Sequence, residues 1–256
     1  STTGIFSIAL PVIDIVAPAA GDTWYATGAY NIRWQTTGSV SSNLSVQYRM
    51  NGGVWTPVSP APTAQQISNG SYAWTVPDSP GSSVEVRITD NNRAEVTDTA
   101  GPLTIVAPSV TITTPDGSET GAGAWVVGTQ HDIAWTSAGG ADGAINSLRL
   151  QYTTDGATFT TIDTVSDQGT IDGDAGTYTW TIPDAVSSTV RVRIFDPARP
   201  ATTVTSSPFQ IAAPSMTITS PDTGSENWII GTDHEITWYS VGEVVEPLKL
   251  YYTTDG

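Results

Sequence analysis

Apolar and polar residues take turns in a five-residue block that appears three times: Leu44-Ser45-Val46-Gln47-Tyr48, Leu148-Arg149-Leu150-Gln151-Tyr152 and Leu248-Lys249-Leu250-Tyr251-Tyr252. In the second block Leu148, Leu150 and Tyr152 fall on one face and Arg149, Gln151 and Thr153 on the other. That period of two is the mark of a strand with one buried and one wet face. No stretch of ten or more residues shows the three-and-four spacing of an amphipathic helix, while Gly and Pro interrupt the chain at short intervals. The pattern predicts an all-β protein. Each block is followed by a turn pair, Asn51-Gly52, Asp155-Gly156 or Asp255-Gly256, of the kind that supplies positive backbone dihedrals to a two-residue hairpin turn.

The alternation belongs to a longer repeat. Trp24, Gly28, Ile32 and Trp34 return as Trp125, Gly128, Ile133 and Trp135, and again as Trp228, Gly231, Ile236 and Trp238. Tyr72-Ala73-Trp74-Thr75-Val76-Pro77-Asp78 returns once, as Tyr178 to Asp184, and Val86-Arg87-Ile88-Thr89-Asp90 returns once, as Val192 to Asp196. Trp34 and Trp135 are 101 positions apart, and Trp135 and Trp238 are 103. A period of that length is one sandwich-sized domain, too long for a solenoid turn.

The expected organisation is residues 11–108 as a first immunoglobulin-like repeat, 109–214 as a second, and 215–256 as the first half of a third. Residues 1–10 look like a closing strand of a preceding repeat, or a donor strand, on the strength of Ile5, Phe6 and Ile8. Two explanations fit those ends: a window cut from a longer array, or exchange of the 5–10 strand into an unfinished domain of the next molecule. For the second repeat seven strands are predicted, at 110–113, 131–136, 148–153, 158–165, 177–182, 190–195 and 208–212. Trp135 and Trp180 are expected to pack between the two sheets. The fold class is therefore tandem seven-stranded β-sandwiches, immunoglobulin-like or fibronectin-III-like, in an extended array. Short Ala107-Pro108 and Ala213-Pro214 joints should hold neighbouring domains stiffly, because proline fixes its own backbone and extends the residue before it.

Composition narrows the chemistry. Nine Lys and Arg against 25 Asp and Glu leave a formal charge of −16. That balance repels phosphate backbones and anionic lipid, so neither nucleic-acid binding nor membrane insertion is expected. Cysteine is absent, which removes disulfides, thiol nucleophiles and thiolate metal sites together. There is no 18-residue apolar run, and Ser1-Thr2-Thr3-Gly4 is not the start of a signal peptide, so any export signal lies outside this sequence.

No catalytic constellation stands out: there is no Gly-x-Ser-x-Gly elbow, no phosphate-cradling glycine loop, and no singled-out carboxylate pair. An enzyme is not expected, nor a resident cofactor. His131 and His234 hold equivalent positions, where the first repeat has Tyr30, and are read as solvent-facing strand residues. Asp78, Asp184, Asp90 and Asp196 are read as turn caps. Candidate calcium ligands are Asp167, Asp172 and Asp174 in a glycine-rich loop, or Asp116 and Glu119; calcium favours such oxygen-rich loops, yet no segment matches the twelve-residue calcium loop. Candidate glycan contacts are Trp24, Trp55, Trp125 and Trp228. Asn43-Leu44-Ser45 and Asn69-Gly70-Ser71 match the short N-glycosylation pattern.

The motif order runs Ile-Thr-x-Pro (112–115, 218–221), Trp-x-x-Gly, Ile-x-Trp, Leu-x-Leu-x-Tyr, Tyr-x-Trp-Thr-Ile-Pro-Asp and Val-Arg-Ile-x-Asp. This order resembles the immunoglobulin-like domain at the N-terminus of yeast cell-wall-synthesis proteins of the KRE/KNH type and of Ser-Thr-rich glycosylphosphatidylinositol-anchored proteins, a domain also found in tandem in large bacterial and archaeal surface proteins. The resemblance covers both full repeats and the partial third, and departs in the first at Ile15-Val16-Ala17-Pro18 and Arg49-Met50-Asn51-Gly52. It implies an extracellular, cell-surface or cell-wall setting and carries over no catalytic residue. The expected role is a structural repeat segment of a fibre, stalk or sheath, whose partners are neighbouring repeats or further copies of itself. The rival is an adhesin or carbohydrate-binding module with cell-wall glycans as partner.

Overall fold

The computed structural model describes residues 8–139, 143–145, 147–165, 175–222, 224–243 and 247–254. Two compact units hold them, one built on residues 8–109 with 137–139 and 143–145, the other on the remainder.

Residues 12–106 fold into two facing sheets. One has the order β1 (Val12–Ala17), β3 (Ala29–Thr37), β6 (Ser71–Thr75). The other runs β2 (Thr23–Tyr25), β8 (Arg93–Val106), β7 (Ser83–Asp90), β4 (Leu44–Met50), β5 (Thr56–Pro57). All pairings are antiparallel except β2 on the end of β8, which is parallel. Inward residues of both sheets meet in one core: Ile32, Trp34 and Trp74 from the three-stranded sheet, Val46, Val84, Val86, Ile88 and Ile105 from the other. The alternation that predicts β7 is literal here, since Val84, Val86, Ile88 and Asp90 are buried while the residues between them are not.

The second sandwich repeats the scheme. Here β9 (Ser109–Thr114), β11 (Gln130–Ala138) and β14 (Ala175–Thr181) form one sheet, ordered β9-β11-β14. The facing sheet runs β10 (Trp125–Val126), β17 (Phe209–Ala212), β15 (Ser187–Asp196), β12 (Leu148–Thr153), β13 (Thr160–Val165), with β16 (Arg199–Thr205) also on β15. The seven predicted strands are all present. Two more are not predicted: the two-residue β10, and β16, which with β17 corresponds to the single long β8 of the first sandwich. A short helix, α1 (Ala64–Asn69), is a further surprise; Thr63 and Gln66 close its N-terminus in a reciprocal cap and Gly70 ends it in a left-handed conformation.

Two local expectations are corrected. The link from β12 to β13 spans Thr154 to Phe159 and is not a two-residue turn, because the last pair is Tyr152 with Thr160. Asp155 instead accepts hydrogen bonds at Oδ1 from Thr153 Oγ1, Ala157 N and Thr158 N, each at 2.8 Å, which stabilise its carboxylate and hold its pKa far below the ordinary range. Asn51-Gly52 does adopt two positive φ angles, 52° and 70°, and Gly53 N donates to Met50 O across it. In the tryptophan-to-glycine motif the structural equivalent of Gly128 is Thr27, not Gly28: Thr27 N donates to Val76 O as Gly128 N does to Ile182 O.

In residues 215–254 the described strands are β18 (Ser215–Ser220) and β19 (Thr237–Val241), an antiparallel pair. Side chains that are interior in the two sandwiches are open here: Trp238 is 47% exposed where Trp135 is 0%, and Leu250 is 60% exposed where Leu150 is 0%. Of the predicted 5–10 strand, Ile5 and Phe6 lie outside the described residues; Ile8 and Leu10 are exposed and in no strand.

Candidate functional site

The four tryptophans expected as glycan contacts differ in exposure. Trp24 is buried at the start of the core, stacked on Tyr30 with ring centres 4.5 Å apart and edge-on to Trp74. Trp125 is buried in the same way, stacked on His131 at 4.7 Å and packed against Trp180 and Phe209. Both sit on the short parallel strands β2 and β10, whose pairing with the last strand of each sandwich turns the indole inward. This corrects their assignment as exposed platforms. Trp228 keeps the stack, on His234 at 4.7 Å, but is 41% exposed.

Trp55 is half-buried on the outer face of the five-stranded sheet, and its ring is covered by cations. Arg87 lies 4.3 Å and Arg49 4.6 Å from its centre. Arg87 is steered there by Gln47, whose Oε1 accepts from Arg87 Nη2 at 2.6 Å, and Arg49 by an ion pair with Glu85 at 2.6 Å. The second sandwich builds the same cluster from Arg193, Gln151, Phe159 and Phe195. The aromatic–guanidinium stack is thus a repeated surface feature, in which alternate residues of adjacent strands brace one another.

His234 is exposed as expected, whereas the reading of His131 is corrected. His131 is half-buried against Trp125, and its Nε2 lies 3.0 Å from Thr129 Oγ1. Burial lowers its pKa from the ordinary 6.5, although Asp132 and Glu119 pull the other way. The unfolded chain therefore takes up a proton at a higher pH than the folded one. Stability from this group is complete above about pH 6.5 and falls as pH drops through the window below it. His131→Tyr, which copies Tyr30, is expected to flatten the fall in urea midpoint between pH 7.5 and 5; an unchanged slope would contradict this account.

Among the acidic candidates, Asp90 and Asp196 cap turns as expected, and from inside the core. The period of β7 and β15 places both on the buried face at the end of the strand. Asp90 accepts from Ser41 Oγ at 2.5 Å, Ser41 N at 3.0 Å and Asn92 N at 2.9 Å; these bonds, that of the Ser41 hydroxyl foremost, hold its pKa below the usual carboxylate range. Asp196 Oδ1 accepts from Ala198 N at 2.8 Å. Asp116 and Glu119 turn their oxygens to the backbone of their own loop, Asp116 to Ser118 N and Glu119 to the amides of Asp116 and Gly117. Asp167, Asp172 and Asp174 lie outside the described residues. Among the described residues no three His, Cys, Asp or Glu side chains converge as a metal site would require. Asn43 and Asn69 are both exposed, with side chains bonded to Asn91 and Asn92 and to Gln65 respectively.

No protein-family profile matches the chain. No curated protein matches it either. Among solved structures it aligns with the fibronectin(III)-like modules of CbhA from Clostridium thermocellum, at 14% identity over 79% of this chain and 93% of that one, with a TM-score of 0.23. It also aligns with an ICAM-5 D1–D4 ectodomain fragment, at 10% identity over 82% of this chain and 56% of that one, with a TM-score of 0.25. Strand order decides the fold without them: a β1-β3-β6 sheet facing a β5-β4-β7-β8 sheet, built twice, makes this an all-β chain of immunoglobulin-like, fibronectin-III-like sandwiches.

Proposed function

We propose that the chain is a structural repeat segment of an extracellular or cell-surface fibre, stalk or sheath protein. What supports this most is where the repeated aromatics go. Trp24, Trp34 and Trp74, and their counterparts Trp125, Trp135 and Trp180, are all buried, so the residues that recur most faithfully build interior. The recurring surface cluster, arginine on Trp55 or Phe159, is occupied by its own cations. The motif order that resembles cell-wall and surface proteins points to the same setting.

Titration of the 256-residue protein with soluble oligosaccharides of glucose and of N-acetylglucosamine, followed by tryptophan fluorescence and calorimetry, tests this. No saturable binding is expected, and Trp55→Ala and Trp228→Ala should leave the traces unchanged. Saturable binding lost in either variant would replace the structural role with that of a glycan-binding module.

A further inference from the structure

The two Asn-x-Ser segments of the first repeat, Asn43-Leu44-Ser45 and Asn69-Gly70-Ser71, have the same acceptor pattern for an N-linked glycan, and the fold treats them in opposite ways. Both asparagines are exposed, so exposure does not separate them. The backbone around each one does, together with the use made of each carboxamide.

Asn43 leads directly into β4. Its carbonyl oxygen accepts from Asn91 N at 2.9 Å, the next residue, Leu44, is buried and paired with Asp90, and Ser45 is paired with Thr89. Both ends of its carboxamide are engaged: Nδ2 donates to Asn92 Oδ1 at 3.2 Å, and Oδ1 accepts from Asn91 Nδ2 at 3.0 Å. The three asparagines thus tie the start of β4 to the turn between β7 and β8. Drawing Asn43 into an enzyme would part that ladder and unseat a core leucine.

Asn69 is the last residue of α1. Its Oδ1 accepts from Gln65 Nε2 at 2.8 Å, one turn back, while its Nδ2 has no partner among the described residues. Gly70 follows at φ 64° and turns the chain off the helix axis, and Ser71 opens β6. No residue of α1 is fully buried; its apolar anchor is the half-buried Ile67. A helix of six residues held so lightly can open its last turn without uncovering the core.

The structure assigns Asn69 as the acceptor of an N-linked oligosaccharide and Asn43 as a structural residue that the fold keeps from modification. In the transfer, Asn69 Nδ2 forms a bond to C1 of the first sugar, the bond from that carbon to a lipid pyrophosphate breaks, and one of the two amide protons passes to a base of the transferase. Nothing is oxidised or reduced. The nitrogen that must react is the unpartnered one at Asn69 and a hydrogen-bonded one at Asn43. In the organism the modification rests on the extracellular reading above, because an exported chain is the one that meets such a transferase.

The test needs no localisation. The purified, folded protein is incubated with a single-subunit transferase specific for Asn-x-Ser/Thr and a lipid-pyrophosphate-linked oligosaccharide, then read by intact mass and peptide mapping. The chain is expected to gain one oligosaccharide, on Asn69. Asn69→Gln should lose the gain, as should Ser71→Ala, which leaves the asparagine in place; Asn43→Gln should keep it. Transfer to no site, transfer to Asn43 to the same extent, or a gain retained in Asn69→Gln would each overturn the assignment. A chain that takes no glycan still has the structural role open to it, whereas saturable binding in the titration above would remove that role and leave Asn69 an acceptor.

Discussion

Trp135→Ala is expected to cost about 3–5 kcal/mol of the second sandwich's stability, the range for truncating a large buried aromatic. Trp135 is wholly inaccessible at the centre of β11, as are Ile133 on the same strand and Leu148 and Leu150 on β12 of the facing sheet. Its loss leaves a hole that neighbours on two hydrogen-bonded sheets cannot close. The indole N–H is buried and has no hydrogen-bond partner among the described residues. An unmet donor is itself unfavourable. Trp135→Phe should thus cost clearly less than Trp135→Ala. Urea denaturation followed by fluorescence, with the first sandwich as an internal reference, measures both; equal losses for Phe and Ala would show that packing of the ring contributes little.

Gly176→Ala should destabilise the same domain by about 1–3 kcal/mol through overpacking. Gly176 is paired directly opposite Trp135 on β14, and a Cβ there would overlap the indole at Cε2, Cζ2 and Nε1. The missing side chain is what lets the ring lie across its neighbour strand. The two sites should therefore be coupled: in a Trp135→Leu background the alanine should be better tolerated, by roughly 0.5 kcal/mol or more in a double-mutant cycle. Strict additivity would mean that Gly176 serves its own backbone and not the tryptophan.

Period and spacing carried most of the fold. Strong alternation in Leu148–Tyr152 and Val190–Ile194, with tryptophans at a fixed interval, located the core strands because a half-buried strand must show that pattern. The short elements were opaque. Strand β10 is two residues long, too brief for any period, and exists only because Trp125 and Val126 can pair with Ile211 and Ala212, more than eighty residues away. Strand β16 begins at Arg199-Pro200, a proline that reads as punctuation, and helix α1 is shorter than two turns.

The candidate site was less legible for a different reason. Sequence alone cannot tell a tryptophan at a strand end that faces solvent from one folded under by a parallel pairing, which is what separates Trp125 from its assigned role. One signal was present: the exchange of Tyr30 for His131 and His234 preserves a flat ring two strands' reach from a tryptophan, as stacking requires. Arg87 over Trp55 and Arg193 over Phe159 were not legible, because only the outward faces of β7 and β15 bring the arginines to those rings.

The parallel pairing of β2 with the end of β8 has a consequence under load. It joins a strand near the start of a sandwich to the strand that closes it, running in the same direction: Thr23 with Thr104, Trp24 with Ile105, Tyr25 with Val106. Tension applied at the two ends of such a domain pulls these strands past each other along their length, so that bonds such as Ala26 N to Val106 O and Thr104 N to Asp22 O must yield together in shear, where an antiparallel hairpin pulled from its open end would peel one bond at a time. Since β10 and β17 repeat the arrangement, a chain of these sandwiches stretched in a force spectrometer should give way in discrete, high-force events, one per domain; a featureless, low-force extension would show that the clasp bears no weight.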